Sequence, residues 1–581
     1  MLDQVFERTI SVDTPERDLP RQVPAEIWRY ALAFLHLRRP TLRFVWRDDK
    51  QWIDVQFSRE NRSGVGNHGH DHVRVLVSPT EMPRGITVRE LDVLTLVALG
   101  LTNGGIAERL GTSARTVSSQ LERLLEKLGQ TSRGGLAAVA VDLGLLRLPF
   151  PGGTPESGGI GIAELELALH AQFDPSLSVA RGGLAARVPI RLGIIEPGGL
   201  GTDSAQTLNG ALLAIDEINA QGGIGGRRIE PIIETVEIFD WESVARGLDR
   251  VIEADVDAII TSYVSAEHPQ FLDVIADYGK PFLHTATFEA DVLRAELEPW
   301  RYGMVFQTCA SETYYGPGML RVLKRLEEAR LWAPRERRIV CLEMESVSMH
   351  LATPAFLERA SDAGWTVVAT IETPVGNTDW SATVANLAVL RPDVILIANY
   401  VETELVSFQR AFAHSPLPAL VYSIYSPSIP SYLRELGAAA NGVIWSTTTG
   451  TYDDELGRRF RHQYATKFGE DPGWSQAGAV YDQVRMLSAA WSSVDSRNVE
   501  AVVQYLRRWP YRGVNGVYYF GETGHAPRLY PDTTSDAALS QAHLVYQIQD
   551  QQHVLLHPEP FGNLQSFALP PWFDATAERA R

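Results

Sequence analysis

Residues 113–128 read SARTVSSQLERLLEKL. At helical spacing Val117, Leu121, Leu124, Leu125 and Leu128 share one face, which leaves Arg115, Thr116, Ser118, Ser119, Glu122 and Arg123 on the other. Guanidinium and hydroxyl groups collected on the outer face of a short helix suit phosphates and base edges, and such a helix fits a DNA major groove. A second cluster, His68, His70 and His72 with Asp71 between them, would lie on one face of a strand at a spacing open to a transition metal. The competing reading, a polar loop beside a hairpin, is the one adopted, so no metal is expected. Gly222, Gly223, Gly225 and Gly226 follow a helical stretch, precede a strand and lack a following Lys-Ser/Thr, so they read as a helix stop and turn, not a phosphate loop. Asp453-Asp454 reads as a solvated helix start. With no nucleophile elbow, zinc-ligand pair on a helix or nucleotide loop, the expectation is a non-enzyme without a cofactor.

These residues need elements to position them, and 581 residues are too many for one core, so two or three domains are expected. Apolar content of 45% and charged content of 21% are ordinary for a globular protein. Cys309 and Cys341 cannot build a disulfide framework. The amino-terminal stretch MLDQVFERTISVDTPERDLP carries acidic residues and no apolar core of a secretory signal, and no run approaches the roughly 18 to 20 apolar residues of a membrane helix. A cytoplasmic chain that does not meet the membrane is therefore expected. The net charge of −18 excludes a chain that coats nucleic acid, whereas residues 82–146 carry a net charge of +1.

Residues 1–80 predict a small α+β domain of open role, with a helix near 24–36 and strands at TLRFVWR, WIDVQF and HVRVLV. Residues 82–146 predict short helices joined by tight turns, with Thr102 and Ser113 as caps and Gly111 as a stop. Residues 147–188 predict a glycine-rich linker with a short helix near 162–172. From 189 to 560, apolar runs such as RLGIIEP, VDAIITSY, RRIVCLE and DVILIAN alternate with amphipathic segments, which predicts parallel sheets with helices on both faces, in two lobes. Residues 561–581 predict a tail.

TVRELDVL, GLTNGGIAERL, SARTV and EKLGQTSR together resemble the helix-turn-helix domain of LuxR-type transcription regulators over about 60 residues. The resemblance implies that the 113–128 helix reads double-stranded promoter DNA and that residues 132–144 form a dimer contact, hence a homodimer. The chain departs from the family pattern at Ser118 (usually Lys), Gln120 (usually His), Glu122 (a second basic residue in some members) and Gly104-Gly105 (usually a basic residue and Glu). Lost positive charge weakens phosphate and guanine contacts, and each glycine loosens its helix by about 1 kcal/mol.

IRLGIIEPGG, LNGALLAIDEINAQGGIGGRRIEPII, DAIITSYVSAEHPQFLDVIADYGKPFLHTATFEA and GNTDWSATVANLAVLRPDVILIANYVETELVSFQRA resemble, in order, the branched-chain amino-acid, amide and urea binding family of substrate-binding proteins. That implies a two-lobe periplasmic-binding-protein type I fold. Its ligand is held at strand carboxyl ends by Ser265 with its neighbour Tyr263, by Thr287 with Ala286 nearby, and by Tyr400 from the second lobe. Tyr425 stands where the amino-acid binders use a glutamate for the ligand ammonium, and LEMESVSM replaces a tyrosine after the central strand. His284, where the amide-sensing branch has an aromatic, belongs to the same set. Without the glutamate a free amino group lacks its counter-charge, so an amide, a urea-like compound or a carboxylate is expected alongside amino acids.

The expectation is thus a multidomain, cytoplasmic, ligand-responsive transcription regulator in which a small polar ligand controls a LuxR-type reader. The alternative is a sensor acting through a protein partner. An unusual feature is order: LuxR-type domains commonly end a chain, and here the domain precedes the sensor.

Overall fold

The computed structural model describes every residue except 1–4, 12–13, 15–19, 21, 36, 38, 49–50, 61–71, 154, 156–159, 173–188, 264–267, 346–349, 375, 377–378, 522 and 574–581. The amino-terminal part runs β1 (Phe6–Ile10), α1 (Ala25–Phe34), β2 (Thr41–Asp48), β3 (Gln51–Glu60), β4 (His72–Thr80), α2 (Val88–Ala98), α3 (Asn103–Leu110), α4 (Ala114–Leu128), α5 (Arg133–Leu143), β5 (Arg147–Leu148) and α6 (Gly161–Gln172). The three predicted strands and the first helix fall where strand alternation and the apolar helical face put them.

The linker expected over 147–188 is corrected for its first half. Arg147-Leu148 pairs parallel with Val45-Trp46 and completes a sheet of order β1-β4-β3-β2-β5. Helix α6 then lies beside α1, where the Tyr30 hydroxyl donates to Glu166 Oε2 at 2.7 Å. Leu148, Phe150, Ile162 and Leu165 are buried because the sheet would otherwise leave an apolar face open. Residues 1–80 and 82–146 are not separate bodies either. Phe44, Val55 and Phe57 of the sheet share one continuous core with Leu91, Leu94, Leu124 and Leu136 of the helices, and Trp509 and Ala538 from the far end of the chain join it.

The sensor opens with β6 (Ile190–Gly198), α7 (Thr202–Ala220), β7 (Ile229–Glu237), β8 (Ala258–Thr261), β9 (Phe282–His284) and β10 (Val305–Gln307), a parallel sheet of order β10-β9-β8-β6-β7. The second lobe is built on β11 (Arg338–Met344), β12 (Thr366–Thr373), β13 (Val394–Ala398), β14 (Leu420–Ile424) and β15 (Ile444–Thr447), in order β12-β11-β13-β14-β15. Its edge is an antiparallel hairpin, Leu544–Gln549 with Gln552–His557. The glycine run after α7 is the expected stop: Gly223 adopts φ +73° with its Cα against the Arg227 carbonyl. Residues 561–573 are no tail, since Trp572 Nε1 donates to the Ala419 carbonyl at 2.9 Å and Phe567 is buried.

Three crossovers join the lobes, near 308–311, 448–451 and 541–543. Thr448 Oγ1 donates to the Ala310 carbonyl at 3.0 Å, and Gln541 Nε2 donates to the Thr308 carbonyl at 3.2 Å, which laces them into one hinge. No helix among the described residues is long and apolar enough to cross a membrane.

Candidate DNA interface and candidate ligand cleft

The helix-turn-helix is set by its caps. Thr87 and Glu90 form a capping box on α2, Thr102 accepts from Gly105 N on α3, and Ser113 accepts from Thr116 N on α4. Gly111, at φ +61°, makes the left-handed stop between α3 and α4. Of the six predicted reading residues, Arg115, Glu122 and Arg123 are exposed on the outer face, while Thr116, Ser118 and Ser119 are half-buried. Ser118 is engaged internally: its Oγ donates to the Ala114 carbonyl and accepts from Asn103 Nδ2, both at 3.0 Å. Asn103 in turn accepts from Arg133 Nη1 at 2.7 Å, which pins α3, α4 and α5 together. Helix α5 leaves Gly134, Ala138 and Val141 exposed along one side.

The cleft lies where the carboxyl ends of the two sheets face each other. Ser265 lies outside the described residues, as do His68, His70 and Asp71. Tyr263, Tyr400 and Tyr425 are brought together as expected: Tyr263 and Tyr400 rings stand nearly parallel with centroids 6.4 Å apart, and Tyr425 meets Tyr263 edge-on at 6.5 Å. Thr287 is half-buried, and its carbonyl accepts from Glu312 N at 2.8 Å. Ala286 belongs to the first-lobe core. His284 does too: its ring stacks on Phe282 at 5.3 Å, and burial pushes its pKa down to about 3, against the raising effect of the Ala286 backbone, which keeps it neutral. The structure does not bring His284 to the tyrosines, because Phe282 and His284 share one side of β9 and that side meets helices.

Asp203, in the first turn of α7, is the residue that sequence reasoning missed. It is 3% exposed, and its carboxylate accepts from Tyr263 at 2.5 Å and, across the cleft, from Tyr425, whose hydroxyl is 2.6 Å from both carboxylate oxygens. Burial lifts its pKa to about 6, against the lowering effect of the two phenols. Against the expectation from sequence, the cleft therefore holds a carboxylate: Tyr425 has no charge, but it presents one that α7 supplies. An acidic residue directly after the first sensor strand and its GGLGT turn was the available signal. Tyr425 itself is held at φ +47°, a costly conformation for a tyrosine, and such outliers concentrate at binding sites.

The two candidate sites are joined at the hinge. Arg147, 1% exposed, pairs with Asp92 of α2 at 2.5 Å and with Asp536, just before the third crossover. The Gly111 turn lies on Tyr452, where a Cβ would come within 2.7 Å of the ring, and Tyr452 Oη accepts from Ala542 N at 2.8 Å. Asp454 is no solvated helix start but a buried cap, holding Arg512 against the same turn. Among the described residues no group of three His, Cys, Asp or Glu could hold a metal ion.

Comparison with known proteins fits this architecture. Residues 189–533 match the periplasmic binding protein profile and residues 85–140 that of the bacterial regulatory proteins of the luxR family. The chain belongs to the periplasmic binding protein family and carries a LuxR-type helix-turn-helix; neither family is one of enzymes. A putative branched-chain amino acid ABC transporter from Silicibacter pomeroyi is similar at 28% identity and TM-score 0.60, over 66% of this chain and 100% of that one. A solute-binding protein from R. palustris in complex with benzoate shares the fold, with 14% identity, TM-score 0.51 and coverage of 64% and 99%. Transcriptional activator ExaE of Pseudomonas putida is 40% identical over 65 residues, 11% of this chain and 30% of that one. The HTH-type activator RamA of Corynebacterium glutamicum is 44% identical over 61 residues, 10% of this chain and 22% of that one. The chain thus spans under a third of the curated relatives it matches.

Proposed function

We propose that this protein is a ligand-controlled transcription regulator of the cytoplasm. A small polar ligand binds between the lobes at Tyr263, Ser265, Tyr400, Tyr425 and Asp203, and closure changes how a LuxR-type reader sits on promoter DNA. The observation that carries this is where the reader is anchored. Arg147 and Tyr452 tie it to the hinge, the part of a two-lobe protein whose backbone must change when the cleft shuts. We further propose residues 1–172 as the reading unit, residues 189–573 as the sensor, and a homodimer formed through the exposed side of α5. Two reading helices would then meet half-sites about one helical turn apart.

Gel retardation of fragments upstream of its own reading frame tests the proposal. Arg115→Ala and Arg123→Ala should each weaken retention about tenfold and lower the log-log salt slope by about one, while Ser118→Lys should strengthen it. The second reading, a sensor that acts through a protein partner, is favoured by Ser118 being bonded within the domain. No specific band at low salt, in wild type or Ser118→Lys, would decide for that partner.

A further inference from the structure

Among the described residues most other buried carboxylates meet a cation or backbone amides; Glu166, bonded by the Tyr30 hydroxyl, is an exception, but it lies inside the amino-terminal core and not between lobes. Asp92 has Arg147, Asp454 has Arg512, Asp532 has Arg321, and Asp482 accepts from Val514 N and Asn515 N. Asp203 has neither among the described residues; two neutral phenols are what it bonds. A carboxylate stripped of water with only neutral donors around it keeps an unbalanced negative charge. It sits between lobes, at the first turn of a helix whose dipole favours an anion there. Around it stand three aromatic rings, one from the first lobe and two from the second. Aromatic faces carry the negative end of a quadrupole and attract cations, so rings and carboxylate select for the same charge. A ligand anion placed there would face both.

We propose that the ligand presents a cationic nitrogen, an alkylammonium group, to Asp203, with Tyr263, Tyr400 and Tyr425 as its walls. This rests on the cleft being the sensor site and assigns the ligand's class. The counter-charge comes from α7 of the first lobe, so the cation would bridge the lobes by drawing Tyr425 and Asp203 to itself.

The test is calorimetric titration of the full-length chain with a matched panel: leucine, betaine and butylamine against butyramide, butyrate and benzoate. Ammonium compounds should bind, and Asp203→Asn should weaken them tenfold or more. Failure of every ammonium compound overturns the proposal. So does an amide or carboxylate that binds as tightly as its ammonium counterpart, or an ammonium affinity that changes less than twofold in Asp203→Asn. If compounds of another class bind, the sensor reading survives; if nothing binds, that reading falls as well. Should Asp203→Asn not fold, betaine titration of wild type replaces it. The quaternary nitrogen cannot titrate, and Tyr263 and Tyr425 stay protonated because burial raises both well above 10. Glu402, the other acid near Asp203, is raised too by burial and changes charge in the same direction. Affinity should fall several-fold from pH 7 to pH 5; a flat profile overturns the proposal.

Discussion

Asp203 loses its hydration on folding and recovers only part of that loss from two phenols. With its pKa lifted from 3.8 to about 6, the folded chain binds this proton more tightly than the unfolded chain. The cost to stability is therefore full above pH 6 and disappears as pH falls towards 4. Asp203→Asn should stabilise the protein by up to about 3 kcal/mol at pH 8 and by nothing near pH 4, read from denaturant melts at both pH values. A variant less stable than wild type at pH 8 would show that the charge is compensated. The three tyrosines were legible in the sequence because each follows a predicted strand of a recognisable two-lobe pattern. Asp203 was not, since an acid in a helix's first turn is ordinary capping chemistry and only the tertiary fold turns it towards Tyr425. His284 erred the other way: strand alternation gave its position, but not which side of β9 the helices would cover.

The elements of the reader were the easiest to foresee, because caps and stops are written locally: Thr102, Ser113 and Gly111 stand where expected. β1 and β5 were not, having five and two residues whose pairing depends on partners distant in the chain. Two glycine substitutions separate local propensity from docking. Gly104 is helical and exposed, and a Cβ there would meet nothing closer than 3.8 Å, so Gly104→Ala should raise stability by about 1 kcal/mol. Gly111→Ala puts a side chain at φ +61°, costing about 1–2 kcal/mol, and drives it into Tyr452. It should lower the melting temperature and speed proteolysis between reader and sensor, while Gly104→Ala slows neither folding nor docking.

At the scale of the whole molecule the question is how cleft closure reaches the DNA. Arg147 touches α2, the amino-terminal sheet and the sensor at once. Arg147→Met leaves Asp536 without its cation and Asp92 with the more distant Arg89 at 3.9 Å, and should cost about 3 kcal/mol. Replacing the triad together, Arg147→Met with Asp92→Leu and Asp536→Leu, removes the unpaired carboxylates and should recover part of that stability, Arg89 losing its own acid partner in Asp92. We expect the triple variant to hold promoter DNA as wild type does and to respond less to ligand, measured as the ligand-induced change in retention. A full response would show that another contact carries the signal. A hundredfold response corresponds to about 2.7 kcal/mol of differential affinity between open and closed forms.

The core that runs from the amino-terminal sheet through the helices to Trp509 and Ala538 also sets the terms for engineering. A chimera cut at the glycine-rich stretch before residue 189 would leave the reader's apolar underside bare and its arginine without Asp536. A working graft of a foreign sensor would have to import the 509–543 stretch with it, so the functional seam of this protein runs through its fold rather than along its chain.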